Sequence, residues 1–226
     1  MTALQLVNKV IYEKLGLSDN VTTLANPTAT VAKILWALNE IQRRLTDFHD
    51  FKKLRKQGTI NLATGTTLYS LADDFARFIK GDDALYYTKV NTGTDEIDKI
   101  TVVNDEDFKN HNASETITEG KPYVARLFGM DDATGNSQIE VYGEPTADYD
   151  GIALYYEYIR YKPDLAANDD LSPFSDHLMI EGAYLQIRVS DGDADQQDLT
   201  DFLTSAANAA FNNDSGRKRT LKYRDF

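Results

Sequence analysis

Cysteine is absent from this sequence, and histidine occurs only three times. Without thiols the chain forms no disulfide, no thiolate metal site, no iron–sulfur cluster and no cysteine nucleophile. No apolar stretch approaches the roughly 20 residues that a membrane-spanning helix needs, and residues 1–15 lack the basic start and the small-residue cleavage site of a signal peptide. These absences predict a soluble protein that is made in the cytoplasm.

Catalytic signatures are missing as well. His49, His111 and His177 are scattered, and none belongs to an H-E-x-x-H motif or to an i, i+4 pair. No G-x-S-x-G, Walker A or G-x-G-x-x-G sequence occurs. The sequence therefore predicts a protein that is not an enzyme, without a catalytic residue, a metal site or a cofactor.

Carboxylates are the remaining candidates for catalysis or metal binding. The chain has 36 Asp and Glu against 24 Lys and Arg, which gives a net charge of −12. Aspartates cluster at Asp73-Asp74, Asp82-Asp83, Asp131-Asp132, Asp169-Asp170 and Asp191/Asp193/Asp195. Because paired carboxylates can hold Mg²⁺ or Ca²⁺, a divalent-metal-dependent hydrolase is a competing function. The last cluster departs from a calcium loop, since Gln196 replaces the required glycine and Phe202 the bidentate glutamate. We expect most of these aspartates to lie in turns and helix starts.

Helical periodicity marks both ends of the 226-residue chain. Thr2 and Gln5 form a capping box before a helix over residues 3–15, and a second helix runs from Thr28 or Thr30 to near Leu54. Ser172-Pro173 begins a helix over residues 174–189 that is apolar around much of its circumference and so should be central. Gly182 should let a neighbouring helix approach it. A fourth helix covers residues 199–211.

Residues 58–163 instead show the period of two that is typical of strands, separated by turns rich in Gly, Asn and Asp. A single helical turn is expected at residues 105–110. The order predicts an α+β fold, in which the N- and C-terminal helix pairs form a four-helix bundle with an inserted antiparallel β lobe. The predicted domains are residues 1–57 with 164–212 for the bundle, 58–163 for the β-rich lobe, and 213–226 for a basic C-terminal tail.

A tyrosine-rich strand over residues 152–161 is apolar on both faces, so both faces should be covered. Tyrosine suits interfaces because it offers contact area at low entropic cost. The strand is either an ordinary core strand or a subunit interface, and the interface interpretation assigns Tyr155, Tyr156, Tyr158 and Tyr161.

The last ten residues carry a charge opposite to that of the rest. Five cationic side chains and one carboxylate give residues 217–226 a charge of +4, which leaves −16 on the remaining 216 residues. Such a tail, with apolar side chains interleaved, can dock on an acidic partner, bind nucleic acid or simply remain solvated. The docking interpretation assigns Arg217, Lys218, Arg219, Leu221, Lys222, Tyr223, Arg224 and Phe226.

Three segments together resemble the head-to-tail adaptor (connector or neck) proteins of tailed phages, the group that includes tail tubular protein A. They are the helix of residues 39–51 leading into the hairpin of residues 58–75, the strand of residues 138–145 with the tyrosine-rich strand after it, and residues 165–188. The family hairpin closes on Tyr-x-Leu-Pro-x-Asp-Phe, and Ala72 stands here in place of the proline.

The resemblance implies a structural virion protein in the neck or tail, assembled in the host cytoplasm. It implies a homo-oligomeric ring, usually dodecameric, between the portal protein and the tail tube or nozzle protein, with double-stranded DNA passing through its lumen without specific binding and no membrane contact. It further implies that the C-terminal segment reaches toward the portal, which makes the eight tail residues portal-docking candidates. A tail-tip or host-recognition protein remains an alternative.

Overall fold

The structure of the protein, a computed structural model, describes residues 1–18, 20–79, 85–88, 97–114 and 120–214. Within these ranges five α-helices and eight strands occur. Internal contacts divide the chain into two compact units. Met1–Lys53 and Lys162–Phe226 form one, called here the helical unit, and Leu54–Tyr161 form the other, the barrel unit.

The helices are α1 (Ala3–Lys9), which continues as a π-helical turn over Val10–Lys14, α2 (Ala29–Phe48), α3 (Asp105–Ser114), α4 (Asp176–Asp191) and α5 (Gln196–Asp214). The capping box of Thr2 and Gln5 is confirmed, and Thr28 caps α2 by accepting a hydrogen bond from the backbone N–H of Val31. Helix α4 begins later than predicted because Ser175 is its cap, accepting from the N–H of Leu178.

Helix α4 is the central helix of the helical unit, as predicted, and it packs on α1, α2 and α5. Gly182 lies where the neighbours come closest. A Cβ atom at this position would stand 2.8 Å from Cγ2 of Ile41 on α2 and 2.9 Å from Cε1 of Phe202 on α5. The predicted close approach at Gly182 is therefore confirmed, and it depends on the missing side chain.

Two buried polar side chains of α2 bind the segment that begins at Lys162, where the chain returns from the barrel unit to the helical unit. The amide of Asn39 donates to the carbonyl of Leu165 (3.1 Å) and accepts from its N–H (2.7 Å). Gln42 donates to the carbonyl of Pro163 (3.0 Å). Both amides are at most 8% exposed, so these bonds satisfy backbone groups that water does not reach.

The strands of the barrel unit are β1 (Arg55–Asn61), β2 (Leu68–Ser70), β3 (Phe75–Phe78), β4 (Leu85–Thr88), β5 (Ile97–Val102), β6 (Val124–Met130), β7 (Ser137–Tyr142) and β8 (Ala153–Arg160). Their order is β1-β8-β4-β5-β6-β7-β2, with β3 also beside β8. Strands β5 and β6 pair in parallel, and the other pairs are antiparallel. The core contains Ile60, Leu62, Leu71, Phe75, Leu85, Tyr87, Ile100, Ile139, Val141, Leu154, Tyr156 and Tyr158.

The predicted fold class, a four-helix bundle with an inserted antiparallel β lobe, is wrong. The described residues form a mixed α/β structure with five α-helices and an eight-stranded sheet that makes a nearly closed barrel. Residues 105–110, predicted as one turn, belong to the ten-residue α3, and this crossover helix allows β5 and β6 to run parallel. Periodicity predicts that a strand exists, whereas long-range packing selects its partner, and here it pairs β1 with the distant β8.

Candidate interaction surfaces

The four tyrosines predicted at a subunit interface fall in different environments. Tyr156 and Tyr158 are 2% and 3% exposed and contact the ring of Phe75 inside the barrel. Tyr155 is half-buried and stacks on Tyr86 with ring centroids 5.6 Å apart, and Tyr161 is 44% exposed. The interface remains a prediction, and Tyr155 and Tyr161 have surface to offer a neighbouring subunit.

Hydrogen bonds fix the two buried tyrosines. The hydroxyl of Tyr156 accepts from the N–H of Ala72 (2.8 Å), and that of Tyr158 donates to Asp74 (2.6 Å), which also pairs with Lys56 (2.5 Å). Burial and the neighbouring Asp74 carboxylate raise the pKa of Tyr158. Burial opposes ionisation of Asp74, but the bonds from Lys56 and Tyr158 outweigh it and lower the pKa of that carboxyl. This cluster therefore stabilises the barrel.

An apolar surface lies at the end of the β6–β7 hairpin. Leu127, Phe128 and Met130 are 44%, 48% and 68% exposed, although the strand begins with the buried Val124 and Ala125. A register shift between Leu127 and Gly129 interrupts the pairing with β7, and such irregularities re-aim side chains. We call Leu127, Phe128 and Met130, with the turn of residues 131–136, the hairpin tip.

Arg126 holds the ring of Phe128 in place. Its guanidinium lies 5.0 Å from the centroid of Phe128 and 4.6 Å from that of Phe108 on α3. Glu140 (2.6 Å) and Asp105 (3.2 Å) pair with the same guanidinium, whose side chain is only 13% exposed. A cation held by two carboxylates between two rings restricts the rotation of both the arginine and Phe128.

The turn at the hairpin tip is also ordered by its own hydrogen bonds. The carboxylate of Asp131 accepts from Ser70 (2.7 Å) and from the backbone N–H groups of Ala133 (2.8 Å) and Thr134 (3.2 Å). These donors lower the pKa of Asp131, so it stays charged in mildly acidic solution. Asp132 beside it is exposed. The tip thus presents three apolar side chains next to two carboxylates.

A groove of about 390 Å³ lies in the helical unit beside the C-terminal half of α5. Its apolar wall includes Phe51 and Phe174, whose rings meet edge to face at 5.0 Å. We call this surface the α5 groove. Its wall consists of Phe51, Pro173, Phe174, Leu178, Ala206, Ala209 and Ala210, and its polar rim of Lys52, Lys53, Ser175 and His177.

The described aspartate clusters have two kinds of hydrogen-bond partner: Asp131 and Asp170 accept from backbone N–H groups in turns, whereas Asp74 and Asp191 accept from side chains. Asp170, like Asp131, accepts from two backbone N–H groups, those of Ala166 and Ala167, and Asp191 pairs with Lys33. Asp82-Asp83 lies outside the described residues. Across the described ranges, no three His, Asp or Glu side chains meet as a metal site would require.

The three histidines have different surroundings. His49 caps the end of α2 and contacts Phe51, and His111 packs near Tyr123 and Tyr142. His177 is exposed on the first turn of α4, with Nδ1 3.9 Å from Glu181. Among the residues that the structure describes, the contacts of these histidines do not combine a nucleophile with an orienting carboxylate, as catalysis by histidine requires.

The basic C-terminal tail lies outside the described residues from position 215 onward. This applies to every predicted portal-docking residue: Arg217, Lys218, Arg219, Leu221, Lys222, Tyr223, Arg224 and Phe226. Their assignment therefore stays a prediction. Among the residues that can be described, no helix combines the length and apolar character of a membrane span.

Comparison with known families decides the class of protein. A family model described as SU10 adaptor protein matches residues 1–224. The chain belongs to the SU10 adaptor protein family. It is therefore a phage structural adaptor, which implies contact with other capsid or tail proteins and a place in the neck of the virion. No curated protein matches the chain significantly, and the narrower similarity to tail tubular protein A stays a prediction.

The hairpin tip and the α5 groove were both missed by sequence reasoning. The sequence did carry one signal for the tip, since Leu127, Phe128 and Met130 stand directly before the Asp131-Asp132 turn. Periodicity alone does not separate an exposed strand end from a buried one when nearly every residue in it is apolar. The groove had no such signal, because its wall comes from three separate segments of the chain.

Proposed function

We propose that this adaptor forms a homo-oligomeric ring, usually dodecameric in similar proteins, which joins the portal of the capsid to the tail tube or nozzle. DNA passes through the lumen of the ring. The observation that carries the proposal is the family match over residues 1–224, because it identifies a structural adaptor of a phage. Attachment of the ring to tail and portal is the specific form of adaptor function proposed here.

The charge of the chain supports passage of DNA. Residues 1–216 carry −16, so a lumen that shares this charge repels phosphates instead of binding them. DNA that must leave the capsid quickly would be delayed by a surface that neutralises its backbone. The acidic composition therefore favours a conduit over a nucleic-acid-binding protein.

The basic tail is the proposed anchor on the portal. Its +4 charge contrasts with the rest of the chain, and Leu221, Tyr223 and Phe226 add apolar contact area between the cationic residues. A segment that orders on an acidic partner surface combines both kinds of contact. Because the charged contribution is screened, attachment should weaken as ionic strength rises.

The test is electron microscopy and co-sedimentation of the full chain with capsids carrying the cognate portal. A chain truncated after Gly216 should lose portal attachment, while its circular dichroism and melting temperature match those of the full chain. A control variant with Leu221, Tyr223 and Phe226 changed to serine keeps the charge and separates the apolar contribution. Undiminished attachment of the truncated chain would refute the anchor, and binding to host envelope instead of portal would refute the connector function.

A further inference from the structure

The hairpin tip and the α5 groove are both apolar, and the charged side chains beside them have opposite signs. The tip is a projecting apolar surface beside Asp131 and Asp132, and the groove is a recessed apolar surface beside Lys52 and Lys53. We propose that the hairpin tip of one copy docks in the α5 groove of the neighbouring copy. This inference rests on the proposed ring and names the contact that joins its subunits.

The tip is suited to docking because its parts are already ordered. Arg126 is held by two carboxylates and its guanidinium in turn restrains the ring of Phe128. Asp131 accepts three hydrogen bonds, two from the backbone of the turn and one from Ser70. Ordering an interface side chain on binding costs about 0.5–1.5 kcal/mol, and a restrained side chain avoids much of this. Phe128 therefore has the properties of an anchor residue, aromatic and held in one orientation.

The groove is suited to receive such an anchor because its wall is apolar and two of its aromatic rings pack against each other. Its volume of about 390 Å³ lies within the roughly 300–1,000 Å³ of pockets that enclose apolar ligands. Ala206, Ala209 and Ala210 leave space on the α5 side, and the edge-to-face pair of Phe51 and Phe174 fixes the opposite side. Burying the apolar side chains of the tip there removes both surfaces from water.

Charge selects the hairpin tip over the tail as the occupant. The tail follows α5 in the sequence and carries +4, so it would meet the like charges of Lys52 and Lys53 at the rim of the groove. The carboxylates of Asp131 and Asp132 meet opposite charges there. Opposite charges at the rim favour the correct partner, and like charges exclude the wrong one.

The two surfaces come from different parts of the chain, so the tip of each copy can enter the groove of the next copy in a head-to-tail, heterologous arrangement. A heterologous contact leaves one tip and one groove free on every pair, and repetition of it closes into a ring when the rotation between subunits allows. The proposed interface is therefore of the kind that a ring-shaped adaptor needs. In a two-fold dimer each tip would instead enter the groove of the other copy, and a chain carrying one cysteine in the tip and one in the groove would then stop at a covalent dimer, which would refute the ring contact.

Cysteine cross-linking tests the contact, because the chain has no cysteine of its own. A chain carrying both Met130→Cys and Ala209→Cys should form, on mild oxidation of the assembled protein with its portal, a ladder of covalent oligomers on a non-reducing gel. Mixing the two single variants should give covalent dimers and nothing larger. Asn208→Cys is the matched control, since this exposed position is on α5 but does not line the groove.

The outcomes are separable. A ring seen by microscopy without a ladder would refute the hairpin–groove contact and leave the proposed ring intact, whereas no oligomer with the portal would refute both. A covalent monomer of altered mobility would mean that the tip binds its own groove, which also refutes the contact between copies. A cross-link of Ala209→Cys to a cysteine placed at Phe226 would make the tail the occupant and refute the hairpin.

Three further single variants and one double variant measure the energy of the contact without cysteine. Phe128→Ala removes the anchor and should weaken assembly about tenfold or more, with an unchanged circular dichroism spectrum and melting temperature of the unassembled chain. Asp132→Lys and Lys53→Asp should each weaken assembly, and the chain carrying both should recover, because the charges are exchanged. Failure of the double variant to recover would contradict the rim pairing.

Discussion

Asn39 ties α2 to the chain segment that begins at residue 162. Its amide makes two hydrogen bonds with the backbone of Leu165, at 2.7 Å and 3.1 Å, and both residues are at most 8% exposed. Replacing Asn39 with alanine removes both bonds and leaves a buried N–H and a buried carbonyl without their partners. We therefore expect Asn39→Ala to destabilise the helical unit.

The magnitude follows from the two orphaned groups. A buried polar group without a partner costs about 1–3 kcal/mol, so the two groups together cost about 2–6 kcal/mol. This is a large share of a total stability of about 5–15 kcal/mol. At an m-value of about 2 kcal/mol/M, the urea midpoint should fall by roughly 1–3 M.

Arg43→Ala is the matched control on the same helix and the same segment. Arg43 pairs with Asp164 at 3.0 Å, but both side chains are more than two-fifths exposed. Exposed pairs contribute about 0.2–1 kcal/mol, because water screens them. The assay is urea unfolding followed by the fluorescence of Trp36, which lies on α2. Equal midpoint shifts for Asn39→Ala and Arg43→Ala would refute the argument from burial.

Two predictions concern the barrel unit. A Cβ at Gly58 on β1 would overlap the ring of Tyr156 opposite it. Gly58→Ala should therefore lower the free energy of unfolding of the barrel unit by about 1–3 kcal/mol through overpacking. The change should appear as a lower melting temperature, and an unchanged melt would contradict the packing. The pKa of Asp74 is lowered by Lys56 and Tyr158, so the stability it contributes is complete above its ordinary pKa and is lost as the pH falls through the lowered value. Acid unfolding of Asp74→Asn should therefore depend less steeply on pH below about 4, and an unaltered acid limb would contradict the assignment.

Local features of the sequence were predicted well where a single helix or turn determines them. The capping box of Thr2 and Gln5, the central position of α4 and the close packing at Gly182 each follow from residues within one element. Helix bounds were less accurate, since α2 ends at Phe48 and not near Leu54. The helix ends because the backbone of His49 is extended, and Lys52–Leu54 form a separate 3-10 turn before β1.

The candidate surfaces could not be predicted in the same way. The two apolar faces of β8 predict either an ordinary core strand or a subunit interface, and the structure covers Tyr156 and Tyr158 with side chains of the same chain. Which face is covered depends on β1, β3 and β4, which pair with β8 from remote positions. The exposed apolar residues Leu127, Phe128 and Met130 appear only when the extent of the sheet is known.

By itself the sequence determined the class of the protein: an acidic, cysteine-free phage adaptor with helical ends, a β-rich middle and a cationic terminus. These properties depend on composition, on periodicity within single elements and on family-wide patterns that span the chain. The tertiary structure decided the strand order, the crossover of α3, the barrel and the positions of the hairpin tip and the α5 groove. Those depend on contacts between residues far apart in the chain, and such contacts are selected by the free energy of the whole packed unit, which no local pattern encodes.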